Sequence, residues 1–326
     1  MKDTIDKFLS IKDDEEARTI FSLGRDGRDW KISTARKDLE KCYPDKGMFV
    51  EIHYRPFDYR FTFYTGNGKG FYQCARYDVM QHILNSKGYN LGISVCRNFT
   101  EDIYQHLIIT NLIIDKHLLG GNAYLFPLYL YTEDGLRIPN IKDKNIIKEI
   151  ENKTGLKFTS EKEENDNTFA PIDLMDYIYA VLHCPNYRKK YIEFLKIEFP
   201  KIPYPKNQED FKYLINIGSK LRNLHLLKSD TLNEFITEYK VSGSDEITKV
   251  RYNNNRVYIN EEQYFDNVPE EIWNFKIGSY QPAQTWLKAR KGRRLEYDEI
   301  THYQKLIKSL YETNNIMNNE LKDIEF

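Results

Sequence analysis

Apolar and aromatic positions in the first part of the chain follow a strand-like pattern. β-Branched and aromatic residues are dense over residues 48–54 and 60–64. Pro56 separates the two runs, since a proline has no backbone N–H to donate to a strand ladder. Three further apolar runs predict strands over residues 91–96, 106–114 and 123–131. The region from about residue 25 to 131 is therefore predicted to be mostly β-strand.

Helical spacing of apolar residues dominates the later part of the chain. Pro171 suits a first helical position, and Asp173 falls in the first turn, where the helix dipole favours an anion. Pro185 ends this helix and can begin the next, and Asn207 can cap a third. Apolar spacing also predicts helices at both ends of the chain, over residues 1–20 and 298–321.

Two shorter strand signals interrupt this helical part. A hairpin is predicted over residues 247–260, around an Asn-Asn-Asn turn, and one more strand over 273–277. The charged segment 151–169 is poor in large apolar residues, which predicts a loop between two halves. The pattern thus predicts an α+β chain in three parts: an N-terminal linker helix (1–24), a β-rich subdomain (25–160) and a mainly helical subdomain (161–326).

Charge is unevenly distributed, although the formal net charge is only −1. Residues 52–100 contain six basic and two acidic residues, and residues 268–294 show the same balance. A near-neutral sum therefore does not exclude a nucleic-acid partner, because basic patches can be segregated along a chain.

Catalytic and metal-binding motifs are missing from the sequence. It contains no Asn/Asp-Pro-Pro-Tyr/Phe loop, phosphate-binding loop, HExxH pair or CxxC pair, and the glycine cluster at 66–70 does not open a helix. Four unpatterned cysteines fit a reducing cytoplasm, where we expect the protein to reside. No apolar run is long enough to span a membrane, and the first residues contain no 7–15-residue apolar run, so we expect that they are not a signal peptide.

One candidate binding feature is the segment 54–64, in which arginine, aspartate and aromatic residues alternate around Pro56. Arg55 and Arg60 could bind phosphate or read guanine, because a guanidinium donates two parallel hydrogen bonds. The alternative interpretation is an internal arginine–aspartate clamp, formed with Asp58, that fixes a bend between two strands.

A second candidate feature is a dense basic segment next to Trp286. Five cations fall within seven residues: Lys288, Arg290, Lys291, Arg293 and Arg294. Together with Gln284, they are candidates for contact with a phosphate backbone. The alternative is a solvated helix end, where cations interact favourably with the helix dipole. A weaker set of DNA-contact candidates lies in the β-rich part: Lys69, Arg76 and Arg97.

Five long motifs resemble a known family in composition and order. They are YRPFDYRFTFYTG (54–66), FPLYLY (126–131), DYIYAVLHCPNYRKKYIEFLKIEFPKIPYP (176–205), RVYINEEQYFDNVPEEIWNFKIGSYQPAQTWLKARKGRRL (256–295) and YDEITHYQKLIKSLYETNNIM (297–317). They resemble the C-terminal specificity domain of Type ISP restriction-modification enzymes and related Type IIG adenine-specific DNA methyltransferases. The resemblance covers roughly residues 20–320.

The resemblance implies sequence-specific recognition of double-stranded DNA, with no catalytic centre in this chain. Catalysis would belong to a methyltransferase domain or subunit of the same phage-defence system. S-adenosylmethionine, ATP and magnesium are expected only on those other parts. Because family members read different sequences yet share these motifs, residues within them suit scaffold or phosphate contact. Base-reading groups are expected outside the motifs, in stretches such as 67–122.

Two other functions remain open at this point. The chain could be a protein-interaction module whose aromatic surfaces dock a separate methyltransferase subunit. Binding to phosphate weakens steeply with salt whereas apolar docking does not, so salt dependence separates this function from DNA recognition. The third possibility is a self-sufficient enzyme, which would require detectable affinity for S-adenosylmethionine.

Overall fold

The computed structural model describes residues 1–28, 30–84 and 88–326. Helices make up 38% and strands 17% of the chain, and the strands form small sheets, which confirms the predicted α+β class. Lys87, one of the basic residues counted in segment 52–100, lies outside the described residues.

Three helices form the N-terminal part: α1 (Lys2–Ser10), α2 (Asp14–Ile20) and α3 (Ile32–Cys42). The predicted single helix over 1–20 is therefore two helices, because Asp13 caps α2 by accepting a hydrogen bond from the backbone N–H of Glu16. The prediction of strand from residue 25 onward is wrong at α3. Its buried Ala35, Leu39 and Cys42 follow the helical spacing.

In the β-rich part, the described residues form eight strands and one short α-helix. They are β1 (Met48–Arg55), β2 (Asp58–Tyr64), α4 (Tyr77–Met80), β3 (Gly92–Cys96), β4 (Leu107–Thr110), β5 (Ile113–Ile114), β6 (Ala123–Pro127), β7 (Tyr129–Tyr131) and β8 (Arg137–Pro139). The spatial orders are β2-β1-β5, β4-β3-β6 and β7-β8. The strands predicted over 106–114 and 123–131 are each divided in two, and the two pieces join different sheets.

The helical part contains eight helices and five short strands. They are α5 (Lys144–Thr154), β9 (Lys157–Phe158), β10 (Thr168–Phe169), α6 (Pro171–His183), α7 (Pro185–Lys190), α8 (Ile192–Leu195), α9 (Gln208–His225), β11 (Arg251–Asn253), β12 (Arg256–Tyr258), β13 (Tyr264–Phe265), α10 (Glu270–Trp273), α11 (Pro282–Lys288) and α12 (Tyr297–Asn315). Strands β11, β12 and β13 form one sheet, and β9 pairs with β10.

Two helix starts in this part follow their local sequence signals, whereas one predicted strand and one predicted loop differ. Helix α6 begins at Pro171, and the Asn207 side chain caps α9 through the Asp210 N–H, both as predicted. The strand predicted over 273–277 is wrong, because Trp273 is the last residue of α10. The predicted loop 151–169 contains the end of α5 as well as β9 and β10.

Each of the two larger hydrophobic cores combines residues from both predicted subdomains. One core joins the sheet β2-β1-β5 to the β11–β13 hairpin region and to α10, α11 and α12. The other joins β3 and β4 to α6 and α9. Helices α1–α3 pack in a third, smaller core with Phe63 of β2. The two predicted subdomains therefore share these hydrophobic cores. As a result, segments that are far apart in the chain come into contact.

Candidate nucleic-acid interface

The turn between β1 and β2 carries the first candidate feature. Phe57 at this turn has a φ of 62°, and Asp58 follows it at the start of β2 with a side chain only 3% exposed. One Asp58 oxygen accepts from Arg60 at 2.9 Å, and the other accepts from Arg290 at 2.9 Å. A nearly buried carboxylate is thus held between two guanidinium groups.

Arg290 is the point at which the basic segment meets this turn. Its side chain is 11% exposed and lies with its guanidinium carbon 3.6 Å from the centre of the Trp286 ring. It also donates to Glu299 of α12 at 3.3 Å. We call Asp58, Arg60, Arg290 and Glu299 the charge clamp. Its geometry favours the internal-clamp interpretation of this turn, with Arg290 tying α11 to β2 and α12.

Arg55 also has internal partners. Its guanidinium pairs with Asp115 at 2.7 Å and lies 3.9 Å from the Tyr54 ring centre and 5.3 Å from that of Tyr280. These contacts join β1 to the loop after β5 and to the segment that precedes α11. For Arg55, as for Arg290, the structure favours a role in holding segments together over direct contact with a ligand.

The other cations of the basic segment face solvent. We call these four the basic ridge: Lys288, Lys291, Arg293 and Arg294. Arg293 pairs with Glu299 at 2.9 Å, and Arg294 lies 3.7 Å from Asp245. Both arginine side chains remain more than half exposed, so these ion pairs are the kind that contribute little to stability. The ridge therefore presents four cations that a polyanion can reach.

The ridge backbone is fixed in place. Gly292 donates to the carbonyl of Ile247 at 2.7 Å, and Ile247 donates to the carbonyl of Arg293 at 2.9 Å. Gln284 lies one helical turn before Lys288 and accepts a hydrogen bond from its ammonium at 3.0 Å. Gln284 also donates to the Trp273 carbonyl at 3.3 Å, which positions it on the fold.

A further exposed cation near the ridge, Lys249, was not among the candidates predicted from the sequence. Lys249 lies two residues after Ile247, whose backbone is bonded to the ridge. It falls within the predicted hairpin, where an isolated lysine gives no local sign that a basic segment packs beside it. The hairpin also carries Arg251, which stacks on Tyr258 at 3.9 Å.

The third candidate set is divided between two places. Arg76 lies 5.0 Å from the Tyr124 ring centre, Tyr124 meets Phe199 edge to face at 5.1 Å, and Arg97 lies 5.9 Å from Phe199. Arg76 and Arg97 thus each contact one ring of the aromatic pair formed by Tyr124 and Phe199. Arg97 donates two 3.0 Å hydrogen bonds to Glu198.

Lys69 belongs to a different loop. It is exposed in the glycine-rich segment after β2, and this segment is anchored to α3 through Asp38. Asp38 accepts from the Asn67 amide at 2.6 Å and from the Phe71 backbone N–H at 2.9 Å. Lys69 is therefore displayed on a held loop.

Neither a metal-binding cluster nor a membrane-spanning helix is found among the residues that the structure describes. Within residues 1–28, 30–84 and 88–326, no group of three or more histidine, cysteine or acidic side chains is arranged to hold a metal ion. Among the helices in those ranges, none has the length and apolar character needed to cross a membrane.

The chain belongs to the family of Type ISP C-terminal specificity domains, whose model matches residues 1–319. No curated protein matches the chain. Family membership confirms the resemblance found in the sequence motifs.

Three solved structures with the same fold each share 19% sequence identity with this chain. One is an ATP-dependent Type ISP restriction-modification enzyme, LlaBIII, bound to DNA, with a TM-score of 0.68 over 100% of this chain. A nuclease-deletion mutant of the Type ISP enzyme LlaGI with a DNA substrate mimic gives 0.65 over 99%. A DrdV–DNA complex gives 0.66 over 97%. This chain spans 22%, 25% and 32% of the length of those proteins.

Proposed function

We propose that this chain is a DNA target-recognition domain that binds double-stranded DNA sequence-specifically within a restriction-modification system. The observation that carries the proposal is the basic ridge, whose four solvent-facing cations lie on a backbone fixed to the neighbouring hairpin. Membership of the specificity-domain family supports it. Adenine methylation and DNA cleavage, with S-adenosylmethionine, ATP and magnesium, would be the work of a methyltransferase domain or subunit and its associated parts.

Phosphate contact by the ridge has a measurable consequence. Each phosphate neutralised by a lysine or arginine releases condensed counterions, which makes the affinity depend on salt. With about six phosphate contacts in total, the plot of log affinity against log salt should have a slope of about −5. The four ridge cations are expected to account for about −3.6 of this slope.

The test reverses the ridge charges by changing Lys288, Lys291, Arg293 and Arg294 to Glu. A matched control makes the same charge change on exposed lysines in and next to α5, which packs in the other core: Lys142, Lys144, Lys148 and Lys153. The ridge variant should bind all duplexes more weakly and with a shallower salt slope than the control. Equal losses in both variants would contradict the ridge assignment. Loss confined to one DNA sequence would instead assign base reading to the ridge.

An apolar groove favours the second candidate function, a module that docks a methyltransferase subunit. A cavity of about 350 Å³ opens between β6 and α6, lined by Leu174, Ile178 and the half-exposed Phe126, among other apolar residues. Under this function the isolated chain would have negligible DNA affinity. Association with a methyltransferase subunit would persist at high salt, because burial of apolar surface is not screened by ions.

A further inference from the structure

A polar pocket of about 520 Å³ lies where four segments of the chain meet. These are the loop after β3, the turn before β6, the residues after α8 and the segment before α11. We call it the seam pocket, and its polar side chains include Asn98, Glu101, His106, Lys196 and Ser279. Asn98 and Glu101 follow Arg97 closely in the sequence. None of the five belongs to the basic ridge or the charge clamp.

Two glycines allow the segments around the seam pocket to approach each other. Gly278 has a φ of +60°, and a Cβ there would lie 2.1 Å from the Leu119 carbonyl oxygen. Gly120 has a φ of +87°, and its Cβ would lie 2.6 Å from the Ser279 side chain. A hydrogen bond from the Ser279 N–H to the Leu119 carbonyl, 3.0 Å long, closes the contact. The pocket therefore has a defined shape.

Glu101 is held within this pocket by three polar groups. One carboxylate oxygen accepts from the Ser279 hydroxyl at 2.6 Å. The other accepts from the Thr100 N–H at 3.1 Å and lies 3.4 Å from Nε2 of His106. Partial burial acts to raise the pKa of Glu101, but the hydrogen bond from Ser279 outweighs it with the help of the backbone N–H groups, and the pKa is lowered.

The Glu101 carboxylate keeps capacity for another partner. A carboxylate has about four acceptor positions, and the side chain is 28% exposed. Asn98, also in the pocket lining, is exposed, and its side chain makes no hydrogen bond to any residue that the structure describes. His106 is buried against the Phe99 ring at 4.6 Å, and its Nδ1 has no partner among the described residues. The seam pocket thus combines a fixed, partly exposed acceptor with an exposed amide that has no hydrogen-bond partner among the described residues.

The charge at the pocket selects between two kinds of DNA contact. An ionised carboxylate repels a phosphate, so Glu101 does not suit the DNA backbone. It does suit a base edge, since glutamate accepts a hydrogen bond from the exocyclic amine of cytosine. Arg97, beside the pocket, pairs with Glu198 but remains 53% exposed, so its guanidinium can also face a flanking phosphate. Lys196, in the lining, is paired with Asp102 and Glu193.

We propose that the seam pocket reads one base of the DNA target, with Glu101 accepting a hydrogen bond from the N4 amine of a cytosine and Asn98 contacting the same base pair. This inference rests on the proposed function. It assigns sequence discrimination to the seam pocket and phosphate contact to the basic ridge. The two features are formed by different side chains of the same fold.

The test is selection from a random duplex library, with the full chain and three variants. Glu101→Gln keeps the shape and an acceptor for Ser279, but replaces one carboxylate oxygen with a donor. Asp102→Asn is the matched control, because it removes the same charge at the next residue, whose side chain is 97% exposed and does not line the pocket. Its partner at 3.5 Å, Lys196, lines the pocket but keeps its charge and its second partner, Glu193, in this control. Asn98→Ala is the second variant. The Asn98 side chain makes no hydrogen bond within the described part of the fold, so its removal should leave the fold intact.

The expected result is confined to one position of the selected motif. Glu101→Gln should lose the cytosine preference there by roughly 5- to 100-fold. Asn98→Ala should relax the same position, and Asp102→Asn should keep the wild-type motif. A wild-type motif from both Glu101→Gln and Asn98→Ala would overturn the inference while leaving the proposed function intact. If the wild-type chain enriches no motif, the proposed function fails, and this inference fails with it.

Discussion

Removing the Arg290 guanidinium should destabilise the fold far more than removing the cation next to it. Arg290 is 11% exposed and pairs at 2.9 Å with Asp58, whose side chain is 3% exposed. Replacement by methionine keeps much of the side-chain length and its packing on Trp286, but leaves Asp58 with Arg60 as its remaining cation within the charge clamp.

The size of the effect follows from this partial compensation. Removing one partner of a buried ion pair costs about 3–5 kcal/mol, because the other charge is left buried. Asp58 retains Arg60 at 2.9 Å, so the lower end applies. Loss of the cation–π contact with Trp286 adds about 1 kcal/mol. We expect Arg290→Met to lower the free energy of unfolding by about 3–4 kcal/mol.

Equilibrium unfolding in urea measures this difference, with Lys291→Met as the matched control. Lys291 is exposed, so its replacement should change the unfolding free energy by no more than about 0.5 kcal/mol. The double variant Asp58→Asn with Arg290→Met should recover part of the loss, because the unpaired buried charge is gone. Equal unfolding midpoints for Arg290→Met and the wild type would refute the clamp reasoning.

Two other predictions concern stability. Burial strongly lowers the pKa of three histidines: His53 and His225 to about 3, and His183 well below its ordinary value. They stay neutral in the fold while the unfolded chain takes up protons below about pH 6.5, so stability should fall as the pH drops from 6.5 toward 3. At pH 5 the loss is about 2 kcal/mol for each of His53 and His225, and equal urea midpoints at pH 7 and pH 5 would contradict it. Tyr54→Ala should mainly lower the melting temperature, because the ring lies within about 4 Å of the guanidinium groups of Arg55 and Arg60. Normal melting with lost DNA binding would reverse that conclusion.

Local signals explain which parts of the fold the sequence could predict. Pro171 and Asn207 act on their own helix ends, so the starts of α6 and α9 were predictable from neighbouring residues. The apolar run 106–114 gave no sign of its division into β4 and β5. Those strands belong to different sheets, and sheet membership depends on partners elsewhere in the chain.

The candidate site shows the same division between local and distant information. The density of cations over 288–294 was evident from the sequence, but the inward direction of Arg290 was not. Its partner, Asp58, is 232 residues away. The same holds for Arg97 and Glu198, which are 101 residues apart. Charge density predicts a basic segment, whereas the long-range partner of each side chain decides which cations remain available.

The contacts of the two motifs at 54–66 and 256–295 give a physical reason why they occur together. Asp58 and Arg290 bind each other, and Arg55 lies against Tyr280, so each motif holds the other in place. The seam pocket meets this framework through Ser279, while Asn98 and Glu101 lie within 67–122, the stretch where base-reading groups were expected. Replacing Glu101 leaves the ion pairs of the charge clamp and the cations of the ridge unchanged. If the seam pocket reads a base and the ridge contacts phosphate, as proposed, a domain built this way can change the base that it reads while it keeps its fold and its phosphate contacts.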